Sequence, residues 1–154
     1  MRAAPFMAHD TSVISYVLNI ELSKENQTKV AQLQTLLHSV EPKSLIIAPP
    51  GSLHITAMDW LAPGVDYGGD NDLLFKDLFH GYDQAFSKAL GGLQPFVATL
   101  DEIVVSKGAV IIKSKESRKL NQLRAKFLNQ CDLLPHTKQP PTITHATVAR
   151  YNQA

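Results

Sequence analysis

Two segments of this sequence share one pattern: residues 49–57 read PPGSLHITA, and residues 140–148 read PPTITHATV. Each copy has a double proline, three further residues, and then a histidine and a threonine separated by one residue. The two copies align without a gap at an offset of 91 residues. A repeat of this kind is typical of a duplicated structural unit. We therefore expect two halves of the fold, each contributing one strand to a shared site.

The histidine and threonine of each copy are expected to share one face of a strand. Side chains two residues apart on a strand point to the same side, so His54 accompanies Thr56, and His145 accompanies Thr147. Two imidazoles can divide general-base and general-acid work, because the ordinary pKa of histidine, about 6.5, allows one neutral and one protonated ring. Threonine hydroxyls can donate hydrogen bonds to phosphate oxygens. The set suits cleavage of a phosphodiester or a cyclic phosphate, with no metal and no cofactor.

Other interpretations of these histidines remain open at this point. Each could be a half-buried strand histidine bonded to a neighbouring hydroxyl, although the paired context favours a functional role. A metal site would need a third or fourth ligand at a recognisable spacing, and neither copy offers one. A third His-x-Thr at residues 9–11 lacks both the double proline and the apolar strand, and we interpret it as a coincidence.

Aromatic side chains near the motifs are weaker candidates for contact with a substrate. By strand alternation Trp60 continues the face of His54, and Tyr151 continues the face of His145, so either ring could stack on a base. The same alternation places Arg150 on the face opposite His145, away from the expected site.

The composition is that of one folded domain. The chain has 154 residues, with 44% hydrophobic and 19% charged residues, which excludes a disordered or fibrous protein. No apolar run approaches the roughly 18 residues that a membrane helix needs, and the first ten residues are too broken for a secretory signal. The single cysteine, Cys131, cannot form an internal disulfide. We therefore expect a soluble cytoplasmic protein, most plausibly a monomer.

The charges are divided unevenly along the chain. Residues 1–105 contain 6 Lys and Arg against 12 Asp and Glu, whereas residues 106–154 contain 9 against 2. This division favours either a basic face suited to phosphates or two halves that neutralise each other across the fold.

Strand-like and helical segments alternate along the chain. Val13–Leu22 has the composition of a strand, and Ser23 is expected to cap a helix that ends before Pro42. The next segments are predicted to be a short strand at 44–48, a strand at 53–61, a loop at 62–70 and a helix at 75–90. A hairpin formed by 96–105 and 109–113 follows. The last two elements are a helix over 120–134, whose apolar stripe includes Cys131, and a strand at 142–151. This order predicts an α+β or mixed α/β domain.

With its two His-x-Thr strands, the sequence resembles the 2H phosphoesterase superfamily, which includes the 2′,5′ RNA ligase-like proteins and cyclic nucleotide phosphodiesterases. The order of predicted elements over residues 12–151 also follows that family. The resemblance implies a bilobed α+β fold, in which two pseudo-symmetric antiparallel sheets flanked by helices surround a central groove. It implies one such domain at residues 12–154 after an N-terminal arm at residues 1–11. Family members usually continue with a further helix and strand, whereas here only residues 152–154 follow the last predicted strand.

The resemblance also implies roles for the site residues. His54 and His145 would be the acid–base pair, and Thr56 and Thr147 would hold the phosphate. The expected function is a metal-independent phosphoesterase that opens a 2′,3′-cyclic phosphate or cleaves a 2′,5′ linkage of a nucleotide or RNA end. The alternatives are 2′,5′ end-joining of RNA in the reverse direction, a nucleotide-binding module without turnover, and a protein-interaction domain.

Overall fold

A computed structural model describes residues 14–137 and 139–152 of the chain. The expected arm at residues 1–11, with His9, lies outside the described residues. Strands and helices alternate in the order β1 (Tyr16–Glu21), α1 (Lys24–Val40), β2 (Leu45–Ile47), a 3₁₀ turn (Pro50–Ser52), β3 (His54–Leu61), α2 (Asn71–Leu90), β4 (Glu102–Val105), β5 (Ala109–Lys113), α3 (Arg118–Leu128) and β6 (His145–Tyr151). The α+β class predicted from the sequence is confirmed.

Local interactions determine where the first two helices begin and end. Ser23 begins α1, and its hydroxyl oxygen accepts a hydrogen bond from the Asn26 amide at 3.3 Å. Asp70 caps α2 in the same manner. This helix ends before Gly91 and Gly92, and Gly92 has a φ of 74°, a conformation that favours glycine. Among the described helices, none combines the length and the apolar character needed to cross a bilayer.

The hairpin strand expected at residues 96–105 is shorter than predicted. Only its last four residues form β4, and residues 96–101 are irregular. The reason lies in the partner strand, because β5 has only five residues. Directly after β5, Ser114 donates its amide to the Thr144 carbonyl and its hydroxyl to the Glu116 carbonyl. The chain therefore turns towards α3 and leaves residues 96–100 without a strand to pair with.

The third helix is also shorter than the apolar spacing predicts. It ends at Leu128, so Cys131 and Leu134 follow the helix instead of continuing its stripe. The Gln130 amide donates to the Phe127 carbonyl at 2.8 Å, a three-residue bond that tightens the end of the helix. Cys131 still packs against the core, and burial raises the pKa of its thiol. Cys131 is therefore interpreted as an unreactive core cysteine and not as a nucleophile.

All strands pair antiparallel in one sheet with the order β1-β3-β6-β5-β4. One edge of β6 pairs with β5 along nearly its whole length. The other edge meets β3 at a single residue pair, Ile55 with Ala146, and then meets β2 over three residues. β6 is therefore the central strand, and β2 and β3 share its second edge.

The described strands form one connected sheet, whereas the family resemblance implies two separate sheets. The β1–β3 pair forms one part, and β2, β4, β5 and β6 form the other. The parts are joined through the contact between Ile55 and Ala146. The two-lobed pseudo-symmetry implied by the repeat stays a prediction.

The core lies between the helices and one face of the sheet. Small and branched side chains of the motif strands fill its centre, and most are almost fully inaccessible to solvent: Leu53, Ile55, Ala57, Ala146 and Val148. Aromatic rings from α2 and α3 close it on the side of β3, where Phe127 contacts Tyr82 and Phe86 edge to face. The opposite face of the motif strands remains free to form a site.

Both motif strands contain a β-bulge at the same position of the repeat. Between β1 and β3 the register passes from Thr56 to Met58 and skips Ala57. Between β5 and β6 the register passes from Thr147 to Ala149 and skips Val148. Each skipped residue stands three positions after the motif histidine. A bulge adds one residue to a strand, so it reverses the faces of the residues that follow.

A buried polar side chain from a helix supports each bulge. Gln34 on α1 donates its amide hydrogens to the carbonyls of Ala48 and Val148, at 2.7 and 2.9 Å. Arg124 on α3 donates from Nε to the carbonyl of Ala57 at 3.0 Å. These bonds supply side-chain donors to backbone oxygens at the two bulges, where the Val148 carbonyl also accepts from the Ala48 amide.

We expect Gln34→Leu to lower the free energy of unfolding by about 1–3 kcal/mol, because it removes the side-chain donor to the part-buried Ala48 carbonyl and one of the two donors to the Val148 carbonyl while preserving side-chain volume. Chemical denaturation measures this change. Gln32→Leu, at an exposed position of the same helix, is the matched control and should alter stability by less than about 0.5 kcal/mol. Equal effects of the two substitutions would contradict the role given to Gln34.

Candidate active site

The four polar residues of the repeated motifs line one cavity of about 360 Å³: His54, Thr56, His145 and Thr147. The rest of its wall comes from β2, the turn that follows it and the end of β6: Ile46, Ile47, Ala48, Pro49, Ser52 and Arg150. Within residues 14–137 and 139–152, no three His, Cys, Asp or Glu side chains are grouped as metal ligands would be. The structure therefore brings the two motifs to one place.

The contact between β3 and β6 explains why the motifs meet. Ile55 and Ala146 are paired across the two strands, and both are buried on the helix side. Their neighbours must point to the other side, because side chains alternate along a strand. The histidine of one motif then lies beside the threonine of the other across the strand pair.

The double proline separates β2 from β3 beside the cavity. β2 and β3 lie along the same edge of β6, but the chain leaves that edge between them. The last backbone bond to β6 is donated by the Ala48 amide to the Val148 carbonyl at 3.1 Å, after which Pro49 and Pro50 have no amide hydrogen to offer. Residues 50–52 form a 3₁₀ turn. Pro49 and Ser52 of this connection line the cavity together with both histidines.

Each histidine ring is held by a backbone group two residues before it. His54 Nδ1 lies 2.6 Å from the Ser52 carbonyl oxygen, to which a protonated Nδ1 donates. The His145 ring is hydrogen-bonded to the backbone of Ile143. When one ring nitrogen of a histidine donates to a carbonyl, the other is available for proton transfer. In both motifs, therefore, a hydrogen bond to the backbone two residues earlier orients the imidazole ring.

The pKa of His145 is lowered from the ordinary value of histidine. Burial is the main cause, because it disfavours the charged ring, and the positive charges of Arg124, His54 and Arg150 lower the pKa further. The hydrogen bond to Ile143 opposes these effects. His145 is therefore favoured in its neutral form near pH 7, in which it can accept a proton.

Arg150 lines the cavity, contrary to the expectation from strand alternation. The bulge at Val148 makes two successive residues, Val148 and Ala149, buried, and so returns Arg150 to the face of His145 and Thr147. The sequence contained a signal for this reversal, because two adjacent apolar residues interrupt the alternation of the strand. Sequence reasoning therefore missed this basic group on the cavity wall.

The bulges also move the two candidate aromatic residues away from the faces expected for them. Trp60 is 7% exposed and packs among Phe75, Phe79 and Tyr82. Tyr151 packs against the core cluster. Neither lines the cavity formed by the motifs. Stacking of a base on either ring stays a prediction, and core packing accounts for both side chains.

Comparisons with known proteins give a result at the level of structure. No protein-family model matches the chain, and no curated protein matches it. Solved structures that resemble its fold include TT0787 and LigT. TT0787 of Thermus thermophilus has a TM-score of 0.52 and 17% identity, over 92% of this chain and 76% of that chain. Apo LigT of E. coli has a TM-score of 0.56 and 14% identity, over 94% of this chain and 76% of that chain.

At such identities the likeness is one of fold. It extends over almost all of this chain. The α+β fold of this chain is therefore the fold of LigT and TT0787.

Proposed function

We propose that this protein is a phosphoesterase that works without a metal and opens a 2′,3′-cyclic phosphate, or cleaves a 2′,5′ linkage, of a nucleotide or RNA end. The observation that carries the proposal is the grouping of two histidines and two threonines on the wall of one cavity. The LigT-like fold supports it, because that is the fold expected of a 2H phosphoesterase. A cytoplasmic location is part of the same proposal.

His145 is the general base in this mechanism. Its neutral ring accepts a proton from a water molecule, and the water oxygen bonds to phosphorus. One bond between phosphorus and a ribose oxygen breaks, and protonated His54 gives its proton to the departing oxygen. The products are a phosphate monoester and a free hydroxyl. With a 5′-hydroxyl in place of the water molecule, the same steps would form a 2′,5′ linkage as the cyclic phosphate opens, so the same groups would serve ligation.

Three further side chains hold the phosphate. The hydroxyls of Thr56 and Thr147 donate to the non-bridging oxygens, on which negative charge increases as the water attacks. Arg150 supplies a positive charge on the same wall of the cavity. The anion would also offset the repulsion that the cationic groups of the cavity exert on one another.

We expect hydrolysis of 2′,3′-cyclic mononucleotides or 2′,5′ dinucleotides to survive EDTA and to show a bell-shaped dependence of kcat/KM on pH. The acidic limb should lie below the ordinary pKa of histidine, because the pKa of His145 in the free protein is lowered. Product analysis across a pH series measures this. A strict requirement for a divalent metal, or a rate that rises steadily to high pH, would contradict the mechanism. Binding of these compounds without turnover would identify a nucleotide-binding module instead.

Substitutions should separate the roles of the motif residues. We expect His54→Ala and His145→Ala each to lower kcat by about 10²–10⁴-fold, the usual contribution of a positioned acid or base. Thr56→Ala and Thr147→Ala should cost roughly 10- to 150-fold, as expected for one hydrogen bond to a charged group. The double histidine variant should be little worse than either single one.

His38→Ala, on the exposed side of α1, is the matched control and should leave kcat unchanged. His9→Ala should also have no effect. Full activity in either motif histidine variant would refute the acid–base assignment.

Arg150→Gln should lower kcat/KM by about 10- to 100-fold, because it removes a charged donor to the phosphate. The loss should diminish for substrates of lower negative charge. Steady-state kinetics measures both effects, and Arg118→Gln, at an exposed position of α3, provides the control. Wild-type kcat/KM in Arg150→Gln would remove Arg150 from the binding site.

A further inference from the structure

A buried arginine outside the cavity connects the two motif strands. Arg124 on α3 is only 4% exposed, and it does not line the cavity. Besides its bond to Ala57, it donates from Nη2 to the Thr56 carbonyl at 2.7 Å and from Nη1 to the Ile143 carbonyl at 3.3 Å. One guanidinium group therefore holds the backbone of β3 at the threonine of the first motif and the segment that leads into the second motif.

A neighbouring side chain fixes the orientation of this guanidinium. Nη1 of Arg124 also donates to Asn121 Oδ1 at 2.9 Å, one turn earlier on the same helix. Asn121 in turn donates from Nδ2 to the Thr142 carbonyl at 2.6 Å. The planar donor fork of arginine serves several carbonyls in a fixed geometry, which the single ammonium group of lysine cannot reproduce. The contacts form a clamp, which we define by Asn121 and Arg124.

The carbonyl of Ile143 is common to the clamp and the site. It accepts from Arg124 Nη1, and the His145 ring is hydrogen-bonded to the same residue's backbone. We propose that Arg124 is a positioning residue for His145, fixing the carbonyl that orients its ring and placing a positive charge beside it. The activity measurements that test this inference rest on the proposed function. The effect of Arg124 on the pKa and position of the His145 ring can be tested without it.

The clamp makes the two repeated units chemically unequal. The corresponding bulge in β6 is supported by Gln34, which is neutral, whereas the bulge in β3 is supported by Arg124, which is charged. The guanidinium remains charged even though burial lowers its pKa, because arginine is not deprotonated in proteins. Its charge therefore favours the neutral form of His145, as a general base requires.

Other charged groups also surround the His145 ring. His54 lies on β3 and Arg150 on the same strand, and both act on its pKa in the same direction as Arg124. Lys113 on β5 is paired in register with His145, and its ammonium group is bridged to Glu102 at 3.3 Å. A test of the arginine must therefore leave these groups in place.

The test compares Arg124→Gln and Arg124→Lys with Arg118→Gln, the exposed control on the same helix. NMR titration of the histidine rings in the full chain should give a higher pKa for His145 in Arg124→Gln. Arg124→Lys, which retains the charge, should give a pKa near that of the wild type. Both variants should lower kcat by about 10- to 100-fold, because the ring is no longer held in place. The acidic limb of kcat/KM should move to higher pH in Arg124→Gln alone.

An unchanged His145 pKa in folded Arg124→Gln, with activity intact, would overturn the inference and leave the proposed function standing. A raised His145 pKa in Arg124→Gln, together with a wild-type protein that is inactive towards every substrate tested, would retain the link to His145 and refute the proposed function. Asn121→Ala keeps the test decisive if the Arg124 variants do not fold, since it removes two clamp bonds and leaves the arginine. It should lower kcat by about 3- to 10-fold, and wild-type kcat would overturn the positioning role.

Discussion

The contact between Ile55 and Ala146 is the constraint on which the rest of the structure depends. It is the one place where the strand of the first motif pairs with the strand of the second among the described residues. Ala146 is completely buried and small, so the backbones of β3 and β6 can approach while the helices cover them. Because this pair occupies the helix side, the polar residues on either side of it must face the cavity. The geometry of the site follows from an apolar contact.

The regular alternation of β3 and β6 is interrupted three residues after each histidine, at the bulges. At each bulge a long polar side chain from a helix donates to a backbone carbonyl, Gln34 to that of Val148 and Arg124 to that of Ala57. The helices therefore do more than cover an apolar face. Gln34 and Arg124 connect the packing of α1 and α3 to the backbone that presents the catalytic candidates. Stability and site geometry are coupled through these two side chains.

Predictions from the sequence succeed where one short-range rule decides the outcome. Ser23 caps its helix because the hydrogen bond involved spans three residues, and the His-x-Thr alternation holds because it also spans three. The alternation fails beyond that distance, since a bulge inverts the faces on which Arg150 and Tyr151 were expected. The role of Arg124 has no local pattern at all, because it depends on contact with a strand 67 residues earlier in the chain.

The central position of β6 has a consequence for synthesis on the ribosome. It is the last strand in the described part of the chain, yet β2, β3 and β5 all use it as their neighbour. A nascent chain that has not yet reached His145 must carry these strands with open edges, and open edges promote association with other chains. The sheet and the cavity become complete in the same step, when β6 inserts. Premature termination of translation before His145 would therefore yield an aggregation-prone polypeptide in place of a folded but inactive protein.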